Sequence, residues 1–155
     1  MQSSLELACA PQASVFICIP GDPVGKQSVR VSMVGGFARK YMPEKTREYE
    51  AKCAVEGKLS MRGREVLTGP ICLKMQIFLP IPNSWSKKKK EAARLGLIVP
   101  TKKPDTSNIL KAVEDGFTGN VWHDDCQVVD HQITKRFGEE PCVIAIITAL
   151  DLKSC

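Results

Sequence analysis

The stretch KKPDTSNILKAVEDGFTGNVWHDDCQVVD, residues 102–130, gathers Asp105, Glu114, Asp115, Asp124 and Asp125 around one internal lysine, Lys111. The whole chain is basic, with a formal net charge of +5. Carboxylates at both ends of a short amphipathic segment, with an ammonium between them, suit phosphodiester hydrolysis. That reaction needs carboxylates to hold one or two divalent cations, and a cation to stabilise the pentavalent phosphate. Asp105 and Asp125 are the candidate ligands, and Lys111 is the nearby positive charge. Each acid also has a plain structural role. Asp105 stands just before a predicted helix, where its carboxylate would cap free N–H groups. Asp124 and Asp125 suit a polar turn at the start of a strand. From residue types alone, a metal site and a solvated helix both stay open.

Helical periodicity places Ser107, Lys111 and Glu114 on one stripe, four and seven residues apart. Asn108 and Asp115 share the neighbouring stripe, and Asp115, one turn beyond Lys111, is within salt-bridge spacing of it. Glu114 lies roughly 10 Å along the axis from Ser107, too far to fill the same coordination position. Other spacings are decoys. GDPVGK, residues 21–26, has three residues between its glycines where a phosphate loop of the Walker type has four, and Gln27 follows the lysine, so it reads as a turn. His123, Cys126 and His131 fit no standard zinc spacing and lack a fourth ligand. No C-x-x-C is present to complete a zinc-deaminase signature.

The elements that must position these residues can be read from local patterns. VFICI, residues 15–19, is a β-branched apolar run ending at Pro20-Gly21, a strand entering a turn. VRVSMVGGFARKYMP, residues 29–43, predicts a hairpin broken at Gly35-Gly36. A helix follows, capped by Thr46 and ending near Gly63. In ICLKMQIFL, residues 71–79, Ile71, Leu73, Met75, Ile77 and Leu79 alternate with Cys72, Lys74, Gln76 and Phe78, the period of a half-buried strand. Ser86 is a plausible N-cap for KKKKEAARL, with Gly96 as its stop. The acidic segment itself predicts a helix from about Ser107 to Phe117, with Ile109, Leu110, Val113 and Phe117 inward. Gly119-Asn120 turns the chain into the closing strands QVVDHQITKRF and CVIAIITAL. Strands and helices mix without a βαβ repeat, so the expected class is α+β: a mixed sheet flanked by helices.

At 155 residues the chain is expected to form one domain, at 15–152, behind a disordered tail at 1–14. Hydrophobic residues make up 43% and charged residues 25%, the balance of a globular protein. No apolar run reaches membrane-spanning length, so no membrane partner is expected. The seven cysteines are scattered and odd in number, which suggests free thiols in a reducing, cytoplasmic compartment. The charge is unevenly placed. Residues 86–103 hold Lys87, Lys88, Lys89, Lys90, Arg94, Lys102 and Lys103 against Glu91 alone, a local excess of +6 that leaves −1 for everything else. Such a patch suits a surface that meets phosphates, although a solubilising helix face has the same composition.

At these residues the chain resembles the RusA family of Holliday-junction resolvases, common in phages and prophages. The family pattern is carried by Lys103, Pro104, Asp105, Asn108, Lys111, Asp115, Gly119, Asp124, Asp125, Gln127 and Val128. GKQSVRV, YMPEKTREYE and PNSWSKKKK upstream are similar as well. The resemblance implies a RusA-like fold and a homodimer that makes paired nicks in four-way DNA junctions with Mg²⁺ (or Mn²⁺). It implies metal binding by Asp105 and Asp125, catalysis by these two with Lys111, and Asp124 as an acid beside the site. Asn108, Glu114 and Asp115 would support it. DNA would be met by Lys26, Arg30, Lys87, Lys88, Lys89, Lys90, Lys102 and Lys103, and the setting would be a bacterial host cytoplasm. Ser107 departs from the pattern, which commonly has a second Asp there, so coordination at this position would run through water.

Three readings follow from this. The protein is a metal-dependent structure-selective endonuclease, a junction-binding relative impaired by Ser107, or a fold-sharing protein that touches no nucleic acid. Retention of Asp105, Lys111 and Asp125 favours the first over the second, because a pure binder gains nothing from acids facing phosphates. The lysine run argues against the third.

Overall fold

The computed structural model describes residues 14–150, so the expected tail lies, apart from Ser14, outside the described residues. In chain order the elements are β1 (Ser14–Pro20), β2 (Arg30–Val34), β3 (Phe37–Tyr41), α1 (Glu44–Met61), β4 (Ile71–Pro80), α2 (Lys87–Arg94), α3 (Thr106–Phe117), β5 (Val128–Gly138) and β6 (Cys142–Ala149). Four strands form one mixed sheet in the order β1-β6-β4-β5, and β2 and β3 form a separate antiparallel ribbon. The architecture is α+β, as the pattern of elements predicted.

Alternation in the sequence becomes alternation in burial. Val15, Ile17 and Ile19 of β1 and Ile71, Leu73, Met75 and Ile77 of β4 are buried, while intervening residues face outward or are half-buried. A sheet with one covered face requires this period. The covering layer is α1 and α3, whose Cys53, Met61, Ile109, Val113 and Phe117 join the same cluster. Each large aliphatic side chain so buried contributes roughly 1.5–3 kcal/mol. The two helices lie very close. A Cβ added at Gly116 would fall 2.4 Å from Cys53 Cβ and 2.7 Å from the Glu50 carbonyl oxygen, so only glycine fits at this crossing.

Two strands, β4 and β5, run parallel, and the chain between them must cross over through α2 and α3. This crossover delivers α3 to the covered face of the sheet. One cap differs from expectation. Thr46 does not cap α1, because the helix begins earlier, with the Pro43 carbonyl accepting from Thr46 and Arg47 N–H at 3.1 and 3.2 Å. Thr46 is fully buried instead, and its hydroxyl accepts from Gln27 N–H at 3.3 Å, tying the preceding loop to α1. Ser86, by contrast, caps α2 as expected, accepting from Lys89 N–H at 3.3 Å.

Candidate functional site

Asp105 takes the N-cap position of α3 in extended conformation, yet its carboxylate caps no helical N–H. It accepts one hydrogen bond from Asn108 Nδ2, at 3.3 Å, and is otherwise exposed. The structural role that its position suggested is therefore not the one it plays. The loop before α3 is held from the sheet: Lys135 of β5 donates its ammonium to the carbonyls of Lys102 (2.9 Å) and Pro104 (3.1 Å), beside a cis Lys103–Pro104 peptide. From the other side, Lys26 N–H donates to the Asn108 carbonyl at 2.8 Å. Gly25 allows that approach, since a Cβ there would meet Asn108 and Pro104 at 3.1 Å. GDPVGK is thus a strap over the start of α3.

Asp105 and Asn108 line a cleft of about 590 Å³ with Lys26, Arg30, Lys45 and Lys103. One carboxylate among four cations makes this wall net positive, a setting that attracts a polyanion. A second groove, about 530 Å³, shares Pro23, Lys103 and Pro104 with the first and adds Lys89, Lys102, Trp85 and Phe137. The Lys89 ammonium lies 3.9 Å from the centre of the Trp85 ring, which fixes it over that groove. Of the expected DNA-binding residues, Lys26, Arg30 and Lys103 line the Asp105 cleft, and Lys89 and Lys102 line the groove that shares residues with it. Lys87 and Lys88 are exposed on α2, and Lys90 is half-buried there.

Asp125 is placed differently. Its Oδ1 accepts from the Thr118 hydroxyl, at the C-terminal end of α3, and from Trp122 Nε1 at 3.4 Å. Trp122 is fully buried and packs edge-on against Phe117, so it is a rigid post for this carboxylate. At a rise of about 1.5 Å per residue, α3 holds Asp105 and Thr118 about 20 Å apart. One chain consequently keeps Asp105 and Asp125 at opposite ends of the helix. Among the described residues, no group of three or more His, Cys, Asp or Glu side chains is arranged to hold a metal ion.

The remaining acids have partners. Asp124 caps the 3₁₀ turn Asp125–Gln127, accepting from Cys126 N–H at 3.0 Å, and that bond holds its carboxyl below the ordinary range. Gln127 completes the turn. Its oxygen accepts from His123 and Asp124 N–H at 2.8 and 2.9 Å, and its nitrogen donates to the Leu67 and Gly69 carbonyls at 3.0 Å. Asp115 does not pair with Lys111; it pairs with Lys26, whose loop crosses α3 and whose side chain reaches along it, with Glu50 of α1 3.8 Å away. The hydrogen bond to Asp115 raises the Lys26 pKa. Glu50 is raised chiefly by burial, which the Lys26 charge opposes. Glu114 is raised by burial too, against the lowering effect of His131, whose Nε2 lies 2.8 Å from its carboxylate. Lys111 and Ser107 are exposed on α3, and neither makes a side-chain hydrogen bond or ion pair among the described residues.

Glu50, His131 and Lys135 carry no local sequence signal for these interactions, since each meets its partner from a distant element, whereas Thr118 and Trp122 reach Asp125 from only seven and three residues away. Gln127 did have one, its fixed offset after the paired aspartates.

Fold and site together define a single-domain α+β protein that presents an exposed carboxylate at a helix start inside a cationic cleft. The family described as endodeoxyribonuclease RusA matches residues 20–148. The chain belongs to that family, whose members cut branched DNA junctions. It is also similar to the uncharacterized protein YqaN of Bacillus subtilis (strain 168), with 36% identity over 129 residues that cover 82% of this chain and 90% of the relative.

Proposed function

We propose that this protein is a metal-dependent endodeoxyribonuclease that resolves four-way DNA junctions by paired nicks as a homodimer. The observation that carries this reading is the uncapped Asp105 carboxylate in a cleft walled by Lys26, Arg30, Lys45 and Lys103. The cations hold the phosphate backbone, Asp105 remains available to a divalent ion, and Lys111 stands on the exposed side of the same helix. Mg²⁺, or Mn²⁺ in its place, would supply Lewis-acid stabilisation of the negative charge that develops on the phosphoryl and leaving oxygens.

A single chain does not fit a complete cation site, because α3 separates its two principal acids by about 20 Å. A two-fold dimer removes this obstacle by setting Asp105 of one copy near Asp125 of the other, and isologous symmetry then makes two equivalent sites. Two sites on one particle are what paired nicking requires. Ser107 adds water in place of a carboxylate, and Asp124, already spent on its turn, stands beside the site. We place the reaction in the cytoplasm of a bacterial host, with the protein encoded by a phage or prophage.

The test is incubation of the purified protein with a labelled four-way junction and with a linear duplex, over a series of Mg²⁺ and Mn²⁺ concentrations. Symmetric nicks in the junction alone are expected. Asp105→Asn abolishes them and leaves junction binding intact or tighter, since neutralisation removes both a ligand and a negative charge facing DNA. Full cutting by that variant overturns the assignment. The absence of a three-ligand group among the described residues of one chain favours a second reading, a junction binder without catalysis. Binding without cutting at every metal concentration, reversed by Ser107→Asp, would establish it.

A further inference from the structure

Residues 29–41 hold three cations, Arg30, Arg39 and Lys40, and no acid. They also hold six of the thirteen large hydrophobic side chains that are strongly exposed among the described residues. An apolar ribbon of this kind marks an interaction surface, and two strands alone are marginal in water. The Gly35-Gly36 turn has positive φ at both residues (59° and 83°), the requirement of a tight two-residue hairpin, and a Cβ at either position would meet nothing within 4 Å. Phe37 follows immediately and is 81% exposed. The hairpin tip is open on all sides.

Register sorts the side chains. Arg30 opposes Tyr41, Ser32 opposes Arg39 and Val34 opposes Phe37, so Phe37, Arg39, Tyr41 and Arg30 share one face. Val31, Met33, Ala38 and Lys40 occupy the other. The first face alternates aromatic rings with guanidinium groups along β3, the composition of a platform that stacks bases and holds the phosphates between them. It is also continuous with the candidate site, because Arg30 lines the same cleft as Asp105. A second copy of the ribbon is a poor occupant, since face-to-face pairing would bring Arg30 and Arg39 of both copies together with no acid to offset them.

We propose that this face of the hairpin binds the branch point itself: Phe37 stacks on a base left unstacked at the crossover, and Arg30 and Arg39 hold the flanking phosphates. The inference rests on the reading of the substrate as branched DNA and adds how the branch is distinguished from a duplex. In a continuous duplex every base is already stacked and offers no ring face to Phe37 without a cost that the open branch has already met.

The experiment measures affinity for a four-way junction and for a linear duplex in EDTA, where no cutting occurs, with 2-aminopurine at the branch. Phe37→Ala is expected to weaken junction binding about tenfold, to leave duplex binding unchanged, and to abolish the 2-aminopurine response. Phe37→Trp retains affinity, whereas Phe37→Leu does not, which separates stacking from simple apolar contact. The melting temperature stays unchanged because the ring lies outside the core. Equal losses on both DNA shapes, or none, overturn the inference, as does a shift in sedimentation toward monomer, which would make the ribbon an interface between copies. Cutting is assayed separately with metal. A protein that binds junctions through Phe37 but never cuts keeps this inference and sinks the nuclease reading; one that cuts while Phe37→Ala binds normally does the reverse. Failure to bind any junction overturns both.

Discussion

Mixing two inactive variants tests the geometry of the site most directly. Asp105→Asn and Asp125→Asn each remove one carboxylate, and each alone is expected to abolish cleavage. The distance decides what happens when they are combined. Asp105 precedes α3, and Asp125 is bonded to Thr118 at its far end, so the helix keeps them about 20 Å apart. Direct metal–carboxylate bonds are only about 2.0–2.6 Å long, so no side-chain rotation brings both acids of one chain to one ion. If the two copies of a two-fold dimer share each site, a mixed dimer contains one site lacking both acids and one site wholly intact. Random reassortment makes half the dimers mixed, each with one good site of two, so about a quarter of the wild-type sites return. The assay is cleavage of a labelled junction after the variants are unfolded and refolded together. The product also changes, because a mixed dimer nicks one strand and cannot make the paired cut. Recovery of singly nicked junction is therefore expected, with little full resolution. No recovery in a mixture that demonstrably exchanges subunits would refute the shared site and return both ligands to one chain.

Neutralising Lys87 to Lys90 together should weaken binding to every DNA shape and reduce the log–log salt slope by about 0.9 for each phosphate no longer neutralised; an unchanged slope would make α2 a solvated face. Ser107→Asp is expected to move the Mg²⁺ titration of cleavage to about 10–100-fold lower concentration with little change in maximal rate, by analogy with the effect of removing a group that supports a metal ligand. An unshifted titration places the cation away from Ser107. Glu114→Gln supplies a pH test. Burial raises the folded-state pKa of Glu114 above its ordinary 4.5, so the stability it contributes is present below that value and is lost as pH rises through the folded pKa. Denaturant melts at a series of pH values should show the wild type losing ground to Glu114→Gln over that window, with cleavage by the variant retained. Parallel pH profiles would show that the His131 interaction cancels the burial cost.

Much of the fold was legible in the chain because its signals are local. Alternation in 71–79 needs only the two-residue period of a strand, Ser86 needs only its own hydroxyl and the N–H three residues on, and Gly35-Gly36 needs only positive φ. The acidic segment also declared its helix and its inward face, and the motif around Asp105, Lys111 and Asp125 pointed to the family. Tertiary structure decided the rest, for reasons that sequence separation hides. Thr46 became a buried anchor for Gln27 because a helix can start wherever a carbonyl is free, and Pro43 offered one sooner. Asp115 took Lys26 over Lys111 because a strap 89 positions away in the chain crosses the helix there. The parallel pairing of β4 with β5, and Lys135 reaching from β5 to hold the Asp105 loop, depend on long-range pairings whose loop-closure cost is met only by the whole core. Composition and spacing could name the two carboxylates. Only the rigid length of α3, with Trp122 and Thr118 fixing one acid at its end, determined that a single chain keeps them apart.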